Sequence, residues 1–179
     1  MLRRPAEFWW LLEGPGGGLV ALWPAAAIIV AAGALHGWPL PRQLGRLRPR
    51  RADLAIGMAA GAGVGGLFVL LAVQVGGARL GWHFDPLGLL VLQPPSNLSE
   101  ELICRGLVLQ AALRACGLWP ALLLSSALFG LMHGPNGLGL FLALTSIAWG
   151  FAVWRTGSLW SGWIAHQTSD LLTGSLLIG

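Results

Sequence analysis

The chain has 179 residues, of which 55% are hydrophobic and 10% are charged, and its mean hydropathy of +0.70 is too high for an ordinary soluble domain. The formal net charge of +4 comes from eleven basic residues, all of them Arg, and five of these lie between Arg42 and Arg51. A basic cluster beside apolar segments is typical of a cytoplasmic loop or of contact with anionic lipid, so we expect no nucleic acid partner.

At roughly 20 residues per spanning helix, this length can supply about six transmembrane helices. A short helix at Pro5–Leu12, aromatic on one side, can lie in the membrane interface before them. The predicted spans are, in chain order, Leu19–Leu35, Leu54–Val75, Asn97–Cys116, Leu118–His133, Leu138–Trp154 and Leu159–Ile178. We therefore expect an all-α protein, a polytopic membrane helix bundle that forms a single membrane domain over residues 1–179.

The second span and the connection after it have distinct compositions. The span is rich in Gly and Ala, which let helix backbones approach closely, so we expect it to pack inside the bundle. In the connection Gly76–Asn97, the Pro94–Pro95 pair cannot continue a helix and predicts an extended chain. Asn97 and Glu100 have the spacing of a capping box, which predicts that the third span begins at Asn97.

Ionisable side chains within apolar spans are the informative residues, because a charge at the bilayer centre costs about 2.5–3.5 kcal/mol on insertion scales. Three of them lie in the first half of the third span. Glu101 and Arg105 are four residues apart, so they share a helix face and can neutralise each other. Glu100 points about 100° away from Glu101 around the helix and remains available for another role.

Two further spans present polar side chains at a similar depth. Phe129 and His133 share a face of the fourth span, and His166 and Asp170 share a face of the sixth. Taken singly, a membrane histidine is more often an interhelical hydrogen-bonding residue than a catalyst, and Phe129 is by default a packing residue. Together with Glu100, these residues supply the base and the oxyanion donors that a water-activating site needs.

The same residues form three motifs that resemble those of the CAAX protease and bacteriocin-processing family. Glu100–Arg105 resembles the EExxxR motif, Phe129–His133 resembles FxxxH, and His166–Asp170 resembles HxxxN/D. The order of the motifs is also similar to that of the family. The resemblance extends over Ser99–Asp170, within a family-like catalytic core of about residues 97–178.

This resemblance implies a glutamic intramembrane protease that needs no cofactor. By the resemblance, Glu100 and His133 activate a water and His166 and Asp170 hold the oxyanion, while the second Glu and the Arg of the first motif are structural. Asp170 stands where many members have Asn, and an ionised carboxylate cannot donate a hydrogen bond. We therefore expect Asp170 to orient His166 or to hold it protonated.

The resemblance also implies the partners and the location. The expected substrate is a protein or peptide with a membrane segment or a C-terminal anchor, and the other partner is the lipid bilayer. We expect an integral multi-pass protein of the bacterial inner membrane. The loops on one side of six spans hold seven Arg and those on the other hold three, which predicts that both chain termini and the catalytic residues lie toward the outside.

Three alternatives remain open at this point. Two His, one Glu and one Asp can form a catalytic zinc site with an open position, although the chain has no HExxH pair. A rhomboid-like serine protease is less favoured, because Ser161–Gly162 lacks the preceding glycine of a GxSG motif. A non-catalytic membrane protein, acting in bacteriocin immunity, as a scaffold or in a proton pathway, also accommodates buried charges.

Overall fold

The structure is a computed structural model that describes residues 48–178. The predicted interfacial helix Pro5–Leu12 and the predicted span Leu19–Leu35 lie outside these residues. The helices of the described part are α1 (Arg51–Gln74), α2 (Gln93–Glu101), α3 (Leu109–Cys116), α4 (Leu118–Met132), α5 (Gly137–Thr156) and α6 (Leu159–Leu176). Two π-helical segments, Gly88–Leu92 and Leu102–Val108, precede α2 and α3. The expected all-helical character is confirmed.

Within residues 48–178, α1 and α5 are the two helices that are both long and apolar enough to cross a bilayer, with 24 and 20 residues. Helix α4 is also apolar but has only 15 residues. The bounds of α1, α4, α5 and α6 agree with the predicted spans to within three residues. The count of about six transmembrane helices stays a prediction.

The third predicted span begins earlier than expected. Helical backbone runs without interruption from Gly88 to Cys116, through both π-helical segments, α2 and α3. The Pro94–Pro95 pair lies within this run, in the first turn of α2 and directly after the first π-helical segment. The predictions of an extended chain at the prolines and of a helix start at Asn97 were therefore wrong. Asn97 lies inside the helix, and its side chain bonds to α6 instead of capping α2.

Helix α1 packs closely against α6, as its Gly and Ala content predicts. The contact uses three glycines spaced four residues apart, Gly57, Gly61 and Gly65. A Cβ atom at Gly57 would lie 2.7 Å from the carbonyl oxygen of Ser161, and one at Gly65 would lie 3.0 Å from Ser169 Cα. Because only glycine allows this approach, α1 forms a rigid support behind α6.

A two-stranded antiparallel sheet was not predicted. Strand β1 (Arg79–Leu80) pairs with β2 (Leu177–Ile178), and the amide of Gly81 also donates to the carbonyl oxygen of Leu176 at 3.1 Å. The sixth helix therefore ends at Leu176 rather than at Ile178. This pairing ties the connection after α1 to the end of α6.

The buried core lies among the helices that carry the motifs. One cluster combines Cys104, Phe129, Trp149 and Ala165 with Val64 of α1. A second cluster consists of Leu109, Ala112, Ala121, Leu122 and Val153. The polar residues of the motifs border the first cluster, so apolar packing from several helices positions them.

Candidate active site

A cavity of about 510 Å³ lies among the helices, and the four residues predicted to be catalytic all line it. Glu100 comes from α2, His133 directly follows α4, and His166 and Asp170 come from α6. Their sequence separations are large, so only the packing of the helices brings them together. The cavity wall also includes Asn97, which the sequence analysis had assigned to a cap.

The Glu100 carboxylate lies between the two imidazole rings. Its Oε2 atom is 3.9 Å from Nε2 of His133 and 3.9 Å from Nε2 of His166. These distances are too long for direct hydrogen bonds and suit a single bridging water or substrate group. The side chain is 12% exposed, and Oε2 is buried without a hydrogen-bond donor among the described residues. Since an unsatisfied buried carboxylate oxygen is costly, this atom is available to a polar group in the cavity.

The ring orientation of His133 is set by its own helix. Nδ1 lies 2.9 Å from the carbonyl oxygen of Phe129, one of the last carbonyls of α4. A carbonyl oxygen only accepts, so Nδ1 carries the hydrogen and donates it. In the neutral ring, Nε2 is therefore an unprotonated acceptor that faces Glu100. This is the form of histidine that can accept a proton from water.

The His166 ring is held from another helix. Its Nδ1 lies 3.2 Å from Oε1 of Glu101, and this oxygen also accepts a hydrogen bond from Arg105 Nη1 at 2.9 Å. Because a carboxylate paired with arginine only accepts, His166 Nδ1 donates. Nε2 faces Glu100 and lies 3.7 Å from Oδ2 of Asp170. His166 can thus donate to an oxyanion only through Nε2, and only when both ring nitrogens are protonated.

The ion pair predicted between Glu101 and Arg105 is present, and both side chains are fully buried. Arg105 Nη2 also donates to the carbonyl oxygen of Ser146 at 3.1 Å. Glu101 reaches α6 because position 162 is glycine: a Cβ atom at Gly162 would lie 2.6 Å from Glu101 Oε2. The pair therefore contacts both α5 and α6, which the spacing within one helix did not indicate.

Aromatic rings surround the two histidines. Trp149 stacks on His166 with ring centroids 4.4 Å apart. Phe129 meets the His166 ring edge-on at 5.3 Å and lies 4.7 Å from the His133 ring. The guanidinium carbon of Arg105 lies 4.6 Å from the Phe129 ring centroid. Phe129 is thus a packing residue that touches both histidines and the buried arginine.

Trp149 was not predicted to lie at the site, although its position along the chain carries a signal. Membrane-interface tryptophans lie near helix ends, whereas Trp149 lies well inside α5 and is 1% exposed. The contact of Asn97 with the site was not predicted either. Asn97 is 4% exposed, and its Nδ2 donates to Asp170 Oδ2 at 2.7 Å. An amide three residues before Glu100 shares its helix face, and this spacing could have placed it at the site.

An apolar groove of about 860 Å³ adjoins the cavity. It lies between α1 and α5, and Val64 forms part of the wall of both the groove and the cavity. Gly63 lines the groove and has open space where a side chain would be. The polar cavity and a long apolar surface therefore lie side by side.

No group of three or more His, Cys, Asp and Glu side chains within residues 48–178 is arranged to hold a metal ion.

A protein-family model described as "Type II CAAX prenyl endopeptidase Rce1-like" matches residues 80–172, more than half of the chain. The matched region contains all three motifs and the four acidic and histidine residues of the cavity. Searches of curated proteins and of solved structures gave no match.

Proposed function

Because this chain belongs to the Rce1-like family of type II CAAX prenyl endopeptidases, we propose that it is an intramembrane endopeptidase in which Glu100 and His133 activate a water for attack on a peptide bond. Membership of the family supports protease activity in general. The mechanism with Glu100 and His133 is our proposal. The observation that carries the mechanism is the buried, unsatisfied Oε2 atom of Glu100, 3.9 Å from an Nε2 atom whose tautomer leaves it an acceptor.

The first step uses two acceptors that face each other. A water between Glu100 Oε2 and His133 Nε2 would donate one hydrogen to each, so its lone pairs would point toward a peptide in the cavity. Its oxygen attacks the carbonyl carbon, the new C–O bond forms, and the carbonyl π electrons move to the oxygen. One water proton passes to the Glu100 carboxylate, with His133 sharing the charge through the second hydrogen bond.

The second step breaks the peptide bond. His166, protonated on both nitrogens, donates from Nε2 to the oxyanion, and the Asp170 carboxylate 3.7 Å away supplies the balancing charge. Glu100 returns its proton to the leaving nitrogen, the C–N bond breaks, and the carbonyl re-forms. The products are a carboxylic acid and an amine.

The apolar groove supports a substrate with an apolar segment. A peptide anchored in the groove between α1 and α5 could place a neighbouring polar bond in the cavity, since both share Val64. Helices α1 and α5 have the length and hydropathy to hold that site within a bilayer. We infer a multi-pass enzyme of the bacterial inner membrane that cleaves proteins or peptides with a membrane segment or a C-terminal anchor.

The test is cleavage by purified protein in lipid vesicles, followed by mass spectrometry. Two probe peptides are used, one ending in a farnesylated CAAX sequence and one ending in an apolar helix. Wild-type protein should cleave at least one, and Glu100→Gln should slow cleavage by about 10²–10⁴ without loss of fold. Asp85→Asn is the matched control, because this carboxyl-to-amide change lies on an exposed residue outside the cavity.

Two outcomes contradict the proposal. If Glu100→Gln keeps more than about a tenth of wild-type turnover, Glu100 is not the base, since loss of a required general base costs more than this. If folded wild-type protein cleaves neither peptide, the proposed function fails for these substrates. A non-catalytic membrane protein is then favoured.

A further inference from the structure

Asn97 connects two elements of the site. Its amide nitrogen donates to Asp170 Oδ2 at 2.7 Å and to Gln167 Oε1 at 3.2 Å. A primary amide has two N–H hydrogens, so these two acceptors use both of them and fix the orientation of the Asn97 side chain. The residue is 4% exposed and lies one helical turn before Glu100.

Gln167 donates to a carbonyl oxygen that Pro94 leaves without a backbone donor. The carbonyl oxygen of Leu89 lies in a π-helical segment, where the expected donor is the N–H five residues later. That residue is Pro94, which has no N–H. Gln167 Nε2 donates to this carbonyl oxygen instead, at 2.8 Å, and Trp163 Nε1 donates to the carbonyl oxygen of Pro94, also at 2.8 Å. Two side chains of α6 thus hold the π-helical segment and the start of α2, which carries Asn97.

The Asp170 carboxylate needs this partner. It is 22% exposed, and its contact with His166 Nε2, at 3.7 Å, is too long for a direct hydrogen bond. Without Asn97, the carboxylate would lose the 2.7 Å hydrogen bond that limits its rotation relative to His166. The carboxylate is on α6 and the amide that donates to it is on α2.

We propose that Asn97 is a positioning residue that holds the Asp170 carboxylate against His166, and thereby sets the geometry of the imidazole that meets the oxyanion. This inference rests on the proposed proteolytic function. Asn97 itself need not touch the scissile bond, because it acts through Asp170. The pair should behave as one unit whose two members can exchange roles.

The test is a residue exchange. Asn97→Asp opposes two carboxylates across 2.7 Å, whereas the double variant Asn97→Asp/Asp170→Asn restores one amide and one carboxylate. On the peptide that wild-type protein cleaves best, Asn97→Asp should lower kcat about tenfold or more with little change in KM, and the exchange should recover most of it, as expected for two residues of one network. Asn136→Asp is the matched control, because this cap accepts a hydrogen bond from Gly139 N, which an aspartate can also accept.

A second readout does not depend on activity. In protein labelled with ¹⁵N-histidine, the ring resonances of His166, assigned by their loss in His166→Gln, should shift in Asn97→Asp and return in the exchange variant. If Asn97→Asp does not fold, Asn97→Ala replaces it and should show the same shift without charge repulsion. Unchanged His166 resonances in a folded Asn97 variant overturn the proposal. If wild-type protein cleaves nothing, the proposed function fails, and the resonances alone decide the positioning role.

Discussion

The Oε1 atom of Glu101 lies 3.2 Å from the Nδ1 atom of His166, although 65 residues separate them in the chain. The same oxygen accepts a hydrogen bond from Arg105 at 2.9 Å. This one buried carboxylate oxygen therefore balances the charge of Arg105, which follows it on the same continuous helix, and also orients the ring of His166 on α6. Loss of Glu101 should affect both the stability of the fold and the chemistry of the site.

Removal of either member of the ion pair should destabilise the protein. Arg105→Ala and Glu101→Ala each leave a fully buried charge without its partner, at a cost of about 3–5 kcal/mol in the free energy of unfolding. Both variants should accumulate less folded protein in membranes and melt at lower temperature than wild type. Arg114→Ala, which removes an exposed arginine at the end of α3, is the control. If Arg105→Ala accumulates and melts like wild type but no longer cleaves substrate, the structural role is wrong. Arg105 would then take part in catalysis.

The two histidines should differ in chemical rescue. His133 is 30% exposed in the cavity, whereas the side chain of His166 is 6% exposed and stacked beneath Trp149. His133→Ala and His166→Ala should each lose about 10²–10⁴ in cleavage rate. Added imidazole should restore part of the activity of His133→Ala only, measured as initial rates against imidazole concentration. Equal rescue of both variants would contradict the difference in access.

Cleavage should not require a metal ion. The proposed base is a carboxylate with an imidazole, Glu100 and His133, and no step of the proposed mechanism uses a metal ion. Protein treated with a chelator should keep its activity, and purified protein should contain no stoichiometric zinc by elemental analysis. About one equivalent of zinc, with activity that returns on its addition, would replace the glutamic mechanism with a zinc site.

The groove should determine binding of the apolar segment. Gly63→Phe places a ring in the groove, where the structure leaves open space. KM for the peptide with the apolar tail should rise about tenfold, equal to about 1.4 kcal/mol of binding free energy, while kcat stays near wild type. Gly66→Phe is the control, because this glycine of α1 has equally open surroundings but does not line the groove. Equal KM values for the two variants would exclude the groove as the tail site.

The orientation of the protein in the membrane can be read from its C-terminus. The excess of Arg in the loops on one predicted side predicts that Gly179 lies outside, together with the residues proposed to be catalytic. A fusion of alkaline phosphatase after Gly179 should be active, and a fluorescent protein that folds only in the cytoplasm should stay dark. Fluorescence without phosphatase activity would reverse this assignment and place the cavity toward the cytoplasm.

Local pattern was sufficient for much of the fold. The bounds of α4, α5 and α6 follow from apolar runs ended by short polar or glycine turns, such as Gly157, whose φ of +63° suits glycine. The pairing of Glu101 with Arg105 follows from a spacing of four residues on one helix. The pattern failed at Pro94–Pro95, where the helix continues and the carbonyl that Pro94 leaves without a backbone donor finds a side-chain partner. That partner, Gln167, lies 78 residues away from the Leu89 carbonyl.

The sequence by itself determined the helical class, the apolar character and the residue types of the site, since these depend on composition and on spacing within one helix. Only the tertiary structure decided which side chains meet. Asn97 contacts Asp170, Glu101 contacts His166, and Trp149 stacks on the same ring. Each contact joins two helices, and its existence depends on how closely those helices approach and how each is rotated about its axis. Glycines at positions 57, 61 and 162 permit that approach, but their effect depends on the helix that packs against them, which spacing along one helix cannot reveal.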